Sequence, residues 1–281
     1  ARSACGVEIA LWDLMGKALD KPVYALLGGK HRDRVEPYAS GLFKREGVDH
    51  ASDLADEAAR YRDAGFPAVK VKIGFGRKVD EAIVSSVRRA IGDDVDLAVD
   101  ANCAYDVGTA IEVGRSLEQY DLLWYEEPIS PEDVDGYVAI RDALPLRLAG
   151  GESLAGLRAF RELVQRRALH VVQPDISIAG GFTEGKRIGA LAAANHVRMI
   201  PHNWGGSVRL AATLHWLATL PDDPEALNPH PCYLEYDMTE NGIRTETSPT
   251  SFDLVDGYVR IPEGPGLGVE VDAEAVARYA A

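Results

Sequence analysis

The sequence has few cysteines and no long apolar run. Its three cysteines are far apart, odd in number and form no CxxC pair, which argues against a zinc site or a disulfide framework. We expect Cys5, Cys103 and Cys232 to pack as small buried residues. No apolar run reaches the roughly 18 residues of a transmembrane helix, and the N-terminus lacks the basic start and unbroken apolar stretch of a secretory signal. These absences predict a cytoplasmic protein with no membrane partner.

The charge balance is strongly negative, with a formal net charge of −14. This charge argues against nucleic acid or an anionic membrane surface as a partner. If the substrate is itself an acid, a bound cation must reverse the field within the site. The length of 281 residues and the 46% hydrophobic content suffice for one large domain or two ordinary ones.

Short apolar runs alternate with amphipathic helical stretches from about residue 35 to residue 237. Eight strands separated by helices are typical of a (β/α)8 TIM-type barrel. A doubly wound open sheet is the alternative, although no GxGxxG follows the first strand. The predicted strands are 35–42, 68–74, 96–102, 122–128, 146–153, 170–177, 198–204 and 232–237.

Three segments follow from this pattern. Residues 1–34 form a lead-in helix and a connection, residues 35–237 form the catalytic barrel, and residues 238–281 form a C-terminal return segment with a strand and a short helix.

Polar or ionisable residues stand at the C-terminal ends of nearly all the predicted strands. In a barrel these ends meet at one mouth, where the active sites of such enzymes lie. A snorkelling lysine or a helix cap would explain any one of them, but so many at one rim favour a site. They are Lys70 and Lys72, Asp100 and Asn102, Glu126 and Glu127, Glu152, Asp175, His202 and Glu235.

The KxK pair and the three acids predict base chemistry beside a metal. Residues i and i+2 of a strand face the same way, so Lys70 and Lys72 should point together and lower the pKa of one lysine toward that of a general base. A solvent-facing pair is the alternative. Three carboxylates from consecutive strands, Asp100, Glu126 and Glu152, would repel one another without a cation, and an all-oxygen set favours magnesium over zinc.

Two further observations concern geometry. Glu126 and Glu127 must face opposite sides of their strand, so only one of them can bind the metal. Asp175 and His202 lie on adjacent predicted strands, where the carboxylate would fix the imidazole tautomer and raise its pKa. A helix-capping Asp175 and a core His202 remain the alternative.

Six ordered motifs carry a family resemblance. The runs VKVKIG, LAVDAN, WYEEP, AGGES, VVQPD and IPHNWGG resemble the mandelate racemase subgroup of the enolase superfamily over essentially the whole chain. Enolase-superfamily sites use a lysine or histidine base with magnesium. The resemblance implies that Lys72 is the base on one face of the substrate, tuned by Lys70, and that Asp100, Glu126 and Glu152 bind Mg²⁺.

The resemblance also assigns the opposite face of the substrate. It implies that His202, backed by Asp175, is the acid or base there. It places Glu235 near the substrate carboxylate and Asn102 among the residues around the bound substrate.

The implied activity is removal of the proton alpha to a carboxylate, giving an enediolate that Mg²⁺ stabilises. The leading hypothesis is β-elimination of water from an acid sugar by a dehydratase. The first alternative is a cycloisomerase that opens a sugar-acid lactone or anhydro ring, since PHNWGG and LEYDMTEN look similar to galactarolactone cycloisomerases. Two others stay open: a 2-hydroxy acid racemase or epimerase, and a non-catalytic barrel.

The resemblance further implies an N-terminal α+β capping domain, whereas this sequence begins at the lead-in helix. We expect the return segment 238–281 to expose apolar surface where it would pack toward that domain, and an inactive truncated fragment remains among the alternatives. The expected ligand is a small acid sugar or its lactone. The resemblance also implies a homo-oligomer, either a dimer or an octamer.

Overall fold

The computed structural model describes residues 2–221 and 231–279. Its main sheet contains eight parallel strands, and a separate antiparallel pair joins β1 (Arg34–Val35) to β10 (Val259–Arg260). The eight parallel strands are β2 (Pro37–Ser40), β3 (Ala68–Lys72), β4 (Asp96–Asp100), β5 (Leu122–Glu126), β6 (Leu148–Gly150), β7 (Val171–Val172), β8 (Arg198–Met199) and β9 (Leu234–Asp237).

Helices connect successive parallel strands, as right-handed βαβ crossovers require. A short 3₁₀ turn, Glu118–Tyr120, follows the fifth helix. The α-helices are α1 (Arg2–Ala18), α2 (Val23–Leu26), α3 (His50–Asp63), α4 (Arg77–Ile91), α5 (Val107–Leu117), α6 (Val134–Ala143), α7 (Leu157–Gln165), α8 (Ile176–Ala179), α9 (Gly181–Ala194), α10 (Ser207–Ala218), α11 (Gly242–Glu246) and α12 (Ala273–Tyr279).

The sheet curls until its two end strands lie side by side. Hydrogen-bonded neighbours run from β8 through β7, β6, β5, β4, β3 and β2 to β9. Asn203, just after β8, reaches the other end of this order: its backbone N–H donates to Oε2 of Glu235 in β9 (3.0 Å), and its side-chain amide donates to the Glu235 carbonyl (3.1 Å). The chain therefore forms the predicted (β/α)8 barrel.

Alternation along the strands divides the core into two layers. Val69 and Val71 of β3 belong to the larger cluster that includes the surrounding helices. Ala68 belongs to a smaller cluster with Trp124 and other strand residues that fill the barrel. Since strand residues of equal parity share a face, Lys70 and Lys72 lie on the interior side, above Ala68.

Several strand predictions were too long. The predicted strand 170–177 shrinks to the two residues of β7, because Pro174 lacks the N–H that a ladder needs and Asp175 caps helix α8. The prediction that all three cysteines are buried was wrong for two of them. Cys5 is buried, but Cys103 is exposed and Cys232 is only partly buried.

The return segment contains the predicted strand and short helix, which are β10 and α12, together with the additional helix α11. The assignment of 1–34, 35–237 and 238–281 as separate units stays a prediction, and parts of each lie outside the described residues. No helix in the described ranges combines the length and apolarity needed to span a bilayer.

Candidate active site

Strand register brings the charged residues together. Lys72 of β3 pairs with Asp100 of β4, and Asp100 pairs with Glu126 of β5. Each of the three is the last residue of its strand. Since parallel strands end at one face of the barrel, their side chains meet at the mouth.

The three predicted metal-binding acids form one cluster. One carboxylate oxygen from each of Asp100, Glu126 and Glu152 lies within 4.8 Å of the others. Glu127 stays outside this cluster, as predicted. Its carboxylate instead accepts the Gly151 N–H (2.9 Å) and the Cys103 thiol (3.3 Å).

Glycine at position 151 places Glu152. The residue has φ +107°, a conformation that side-chain-bearing residues rarely adopt. A Cβ there would lie 2.9 Å from the Phe160 ring. The AGGES motif thus turns the chain sharply after β6 and presents Glu152 to the mouth.

Lys70 is surrounded by carboxylates. Its ammonium group is 2.6 Å from Glu126, 2.7 Å from Glu235 and 3.4 Å from Asp100, and its side chain is 1% exposed. Burial alone would lower the pKa of Lys70, but these acids outweigh burial and raise the pKa well above its usual value. Lys70 is therefore not the lysine whose pKa is lowered, because the tertiary fold supplies three anions around it.

Lys72 lies nearer the open side of the mouth. Its ammonium group donates to Asp100 (2.5 Å) and to the side-chain carbonyl of Asn102 (2.8 Å). Both lysines contact Asp100, so they do point the same way. Asn102, in a left-handed conformation with φ +43°, positions Lys72 directly.

The pKa values of Asp100 and Glu126 are shifted in opposite directions. Burial would raise the pKa of Asp100, but Lys70 and Lys72 outweigh it and hold that pKa below its usual value. For Glu126, burial and the neighbouring Asp100 carboxylate raise the pKa to about 8. The two carboxylates thus hold their protons with very different affinity.

Two side chains that the sequence analysis missed hold Glu126. The Trp124 indole N–H and the Gln173 amide both donate to its Oε2 at 2.8 Å. Trp124 lies two residues before Glu126 on the same strand face, a spacing that could have identified it. Gln173 comes from β7's end, and only the tertiary fold shows its contact.

His202 and Asp175 form the predicted pair. The His202 Nδ1 lies 2.7 Å from Oδ2 of Asp175, and Nε2 lies 3.3 Å from Glu152. Burial would lower the pKa of His202, but Glu235, Asp175 and Glu152 raise it to about 9. Asp175 also caps α8, through Oδ1 and the Ser177 N–H (2.7 Å), so the capping role and the pairing role coexist.

Arg209 is a second partner that sequence reasoning missed. Its guanidinium lies 3.2 Å from the same Asp175 oxygen that His202 contacts. No local sequence pattern relates this residue of α10 to Asp175.

Glu235 is buried beneath the mouth. It is 1% exposed, and its oxygens accept from Lys70, from the Ser40 hydroxyl (2.7 Å) and from the Asn203 N–H (3.0 Å). Lys70 and His202 outweigh burial and lower the pKa of Glu235 to about 2. Its predicted contact with a substrate carboxylate stays a prediction.

A cleft of about 470 Å³ opens at the mouth. Lys72 contacts the acid cluster through Asp100, whereas His202 contacts it through Glu152. Lys72, at the end of β3, and His202, in the segment after β8, therefore flank the cluster from different parts of the rim. The lining of the cleft includes Lys72, Asn102, Glu152, His202, Phe43 and Trp204.

The donor set fits a hard divalent cation. All three residues of the cluster are carboxylates, and an all-oxygen donor set favours magnesium over zinc. When ionised, Asp100, Glu126 and Glu235 exceed the two lysines that they contact by one negative charge, and Glu152 adds a further carboxylate to the cluster. The predicted ligands Asp100, Glu126 and Glu152 thus form a suitable metal site.

Fold and site together define a (β/α)8-barrel enzyme with a carboxylate cluster at its mouth. The chain belongs to the enolase C-terminal domain-like family, whose model matches residues 53–276.

Similar proteins act on acid sugars. The D-galactarolactone cycloisomerase of Agrobacterium fabrum is 40% identical over 98% of this chain and 72% of its own length. The arabinonate dehydratase of Saccharolobus solfataricus is 35% identical over 95% of this chain and 69% of its own length. The crystal structure of the 3,6-anhydro-D-galactonate cycloisomerase from Zobellia galactanivorans superposes with a TM-score of 0.90 at 38% identity, covering 99% of this chain and 75% of that one.

Proposed function

We propose that this protein is a magnesium-dependent enzyme that removes the proton alpha to the carboxylate of an acid sugar and then eliminates a β-oxygen, most simply as water. The observation that carries the proposal is the placement of Lys72 and His202 at the two ends of one carboxylate cluster. A base and an acid on separate sides of a bound substrate can each reach a different atom of it.

Each residue has a defined task in this reaction. Lys72 in its neutral form accepts the α-proton, and Asp100 and Asn102 hold its Nζ in place. His202 donates a proton to the departing oxygen from Nε2, while Asp175 keeps Nδ1 protonated and orients the ring. Asp100, Glu126 and Glu152 would hold magnesium, which would supply positive charge beside the developing enediolate.

Cycloisomerisation is the second candidate, and two of the comparisons favour it: the Agrobacterium and Zobellia proteins are both named cycloisomerases. The proton movements would be the same. The difference is that the departing oxygen belongs to a lactone or anhydro ring and stays in the product.

The experiment is a screen of aldonates, aldarates, their lactones and anhydro acid sugars with Mg²⁺ in D₂O. A 2-keto-3-deoxy acid accompanied by loss of water supports the dehydratase, and an open-chain product that keeps every carbon and oxygen atom of the substrate supports the cycloisomerase. Exchange of the α-proton with inversion and no elimination would instead indicate a racemase.

Two variants assign the groups. We expect Lys72→Ala and His202→Ala each to abolish turnover and to keep Mg²⁺ binding measurable by calorimetry, because neither side chain belongs to the acid cluster. Turnover that survives either substitution removes that residue from its role. A magnesium-loaded wild type that neither exchanges nor eliminates across the panel would favour a non-catalytic barrel.

A further inference from the structure

A second charged cleft lies at the opposite end of the barrel. Its volume is about 470 Å³, within the usual range for small-molecule sites. Its lining comes from the C-terminus of α6 and from the segments just before β6, β7 and β8. These are the N-terminal ends of the strands, so the cleft faces away from the catalytic mouth. The residues that line it are Arg141, Arg147, Arg167, His170, His196 and Arg198, with Leu169 and Val197.

The lining holds no acid, although the whole chain carries a net charge of −14. Within residues 2–221 and 231–279, the side chains of Arg147, Arg167 and His196 make no hydrogen bond or ion pair. The nearby acid Asp96 raises the pKa of Arg198 less than Arg147 lowers it. The positive charges in this cleft are therefore poorly balanced.

Helix C-termini explain part of this cluster. Cations are stabilised near the last turn of a helix by the helix dipole. Arg141 fits that account, because its guanidinium donates to the Arg166 and Arg167 carbonyls (2.9 and 2.8 Å) at the end of α7 and pairs with Asp142. Its charge is already satisfied without a ligand.

The helix dipole does not explain Arg147 and Arg198. Arg147 directly precedes β6 and Arg198 is the first residue of β8, so neither lies at the end of a helix. Arg198 is half-buried, and its guanidinium donates to the Pro231 carbonyl (3.2 Å). Burial and the Arg147 charge lower the pKa of Arg198. The charged form of Arg198 is therefore disfavoured in this cleft, and an anion between Arg147 and Arg198 would offset that cost.

His170 adds a neutral donor to the same cleft. Its Nδ1 accepts the Leu148 backbone N–H (3.0 Å), so the neutral ring carries its proton on Nε2. Burial, Arg141 and Arg147 lower the pKa of His170 and so favour this neutral form.

We propose that this cleft binds a small molecule carrying a phosphate or pyrophosphate group, with Arg147 and Arg198 as its principal partners. Guanidinium groups match the oxygens of phosphate in bidentate pairs, and an imidazole N–H adds a third donor. The cleft is larger than one phosphate needs, which leaves space for the rest of a phosphorylated metabolite. The proposal does not depend on the reaction at the mouth.

The test is calorimetric titration of the metal-free wild type with inorganic phosphate and with pyrophosphate, at constant ionic strength. Arg147→Gln removes one exposed cation of the cleft. Arg115→Gln makes the same charge change on α5, outside the cleft, and serves as the matched control. We expect saturable binding, tighter for pyrophosphate. The affinity should fall about tenfold or more in Arg147→Gln, because a hydrogen bond to a charged group is lost, and change less than about twofold in Arg115→Gln.

Three results would overturn the proposal. These are no saturable binding of either anion, equal weakening in Arg147→Gln and Arg115→Gln, or binding that disappears in Lys72→Ala and persists in Arg147→Gln. The last would place the anion at the catalytic mouth. Basal turnover of Arg147→Gln without added anion should match the wild type, which verifies that the variant is folded.

Discussion

Replacing Lys70 with methionine tests whether this lysine holds the metal-free site together. Methionine keeps most of the apolar stem and removes the ammonium group that lies 2.6 Å from Glu126 and 2.7 Å from Glu235. Removing one partner of a buried ion pair costs about 3–5 kcal/mol, because the remaining charge is buried without compensation. Here Asp100 is affected as well, so we expect a value near the upper end of that range.

The assay is urea unfolding in chelator-treated buffer, followed by tryptophan fluorescence. Lys17→Met is the matched control: Lys17 also contacts an acid, Asp13 at 2.8 Å, but is 45% exposed, so its loss should cost less than about 1 kcal/mol.

Magnesium should stabilise Lys70→Met more than the wild type, because the variant site is more negative and the cation replaces the missing charge. If the metal-free Lys70→Met protein has an unfolding free energy within about 1 kcal/mol of the wild-type value, the reasoning is refuted. A variant that folds only with Mg²⁺ would support it.

Two further predictions concern single buried groups. Trp124→Phe removes one of the two neutral donors to Oε2 of Glu126, and we expect Mg²⁺ to bind about tenfold more weakly by calorimetry, as for other lost supports of a metal ligand; an unchanged Kd would contradict this. Burial lowers the pKa of His215 to about 4, against about 6.5 in an unfolded chain. The unfolded state then binds more protons than the native state between these values, so stability falls as the pH drops from about 6.5 to about 4, by up to roughly 3 kcal/mol. The difference in unfolding free energy between wild type and His215→Gln should therefore shrink as the pH falls across that range. A difference that stays constant with pH would contradict the prediction for His215.

The sequence by itself determined the order of strands and helices and the residues at the mouth. Local rules suffice for this, since a two-residue period decides which side chains share a strand face and the ends of parallel strands meet at one rim. Lys70, Lys72, Asp100 and Glu126 were placed by those rules alone. The apolar runs did not determine the strand lengths: β7 ends early because Pro174 lacks an N–H and Asp175 caps α8.

Only the tertiary structure decided which charges neutralise one another. The three acids around Lys70 come from β4, β5 and β9; β9 is the last parallel strand in the sequence, and it lies near Lys70 because it pairs with β2, the neighbour of β3. The contact of Arg209 with Asp175 and the cluster of Arg147 with Arg198 likewise join residues distant in sequence. Strand tilt and stagger set these contacts, and the charge state of each group depends on them because electrostatic interactions act through space and strengthen where water is excluded.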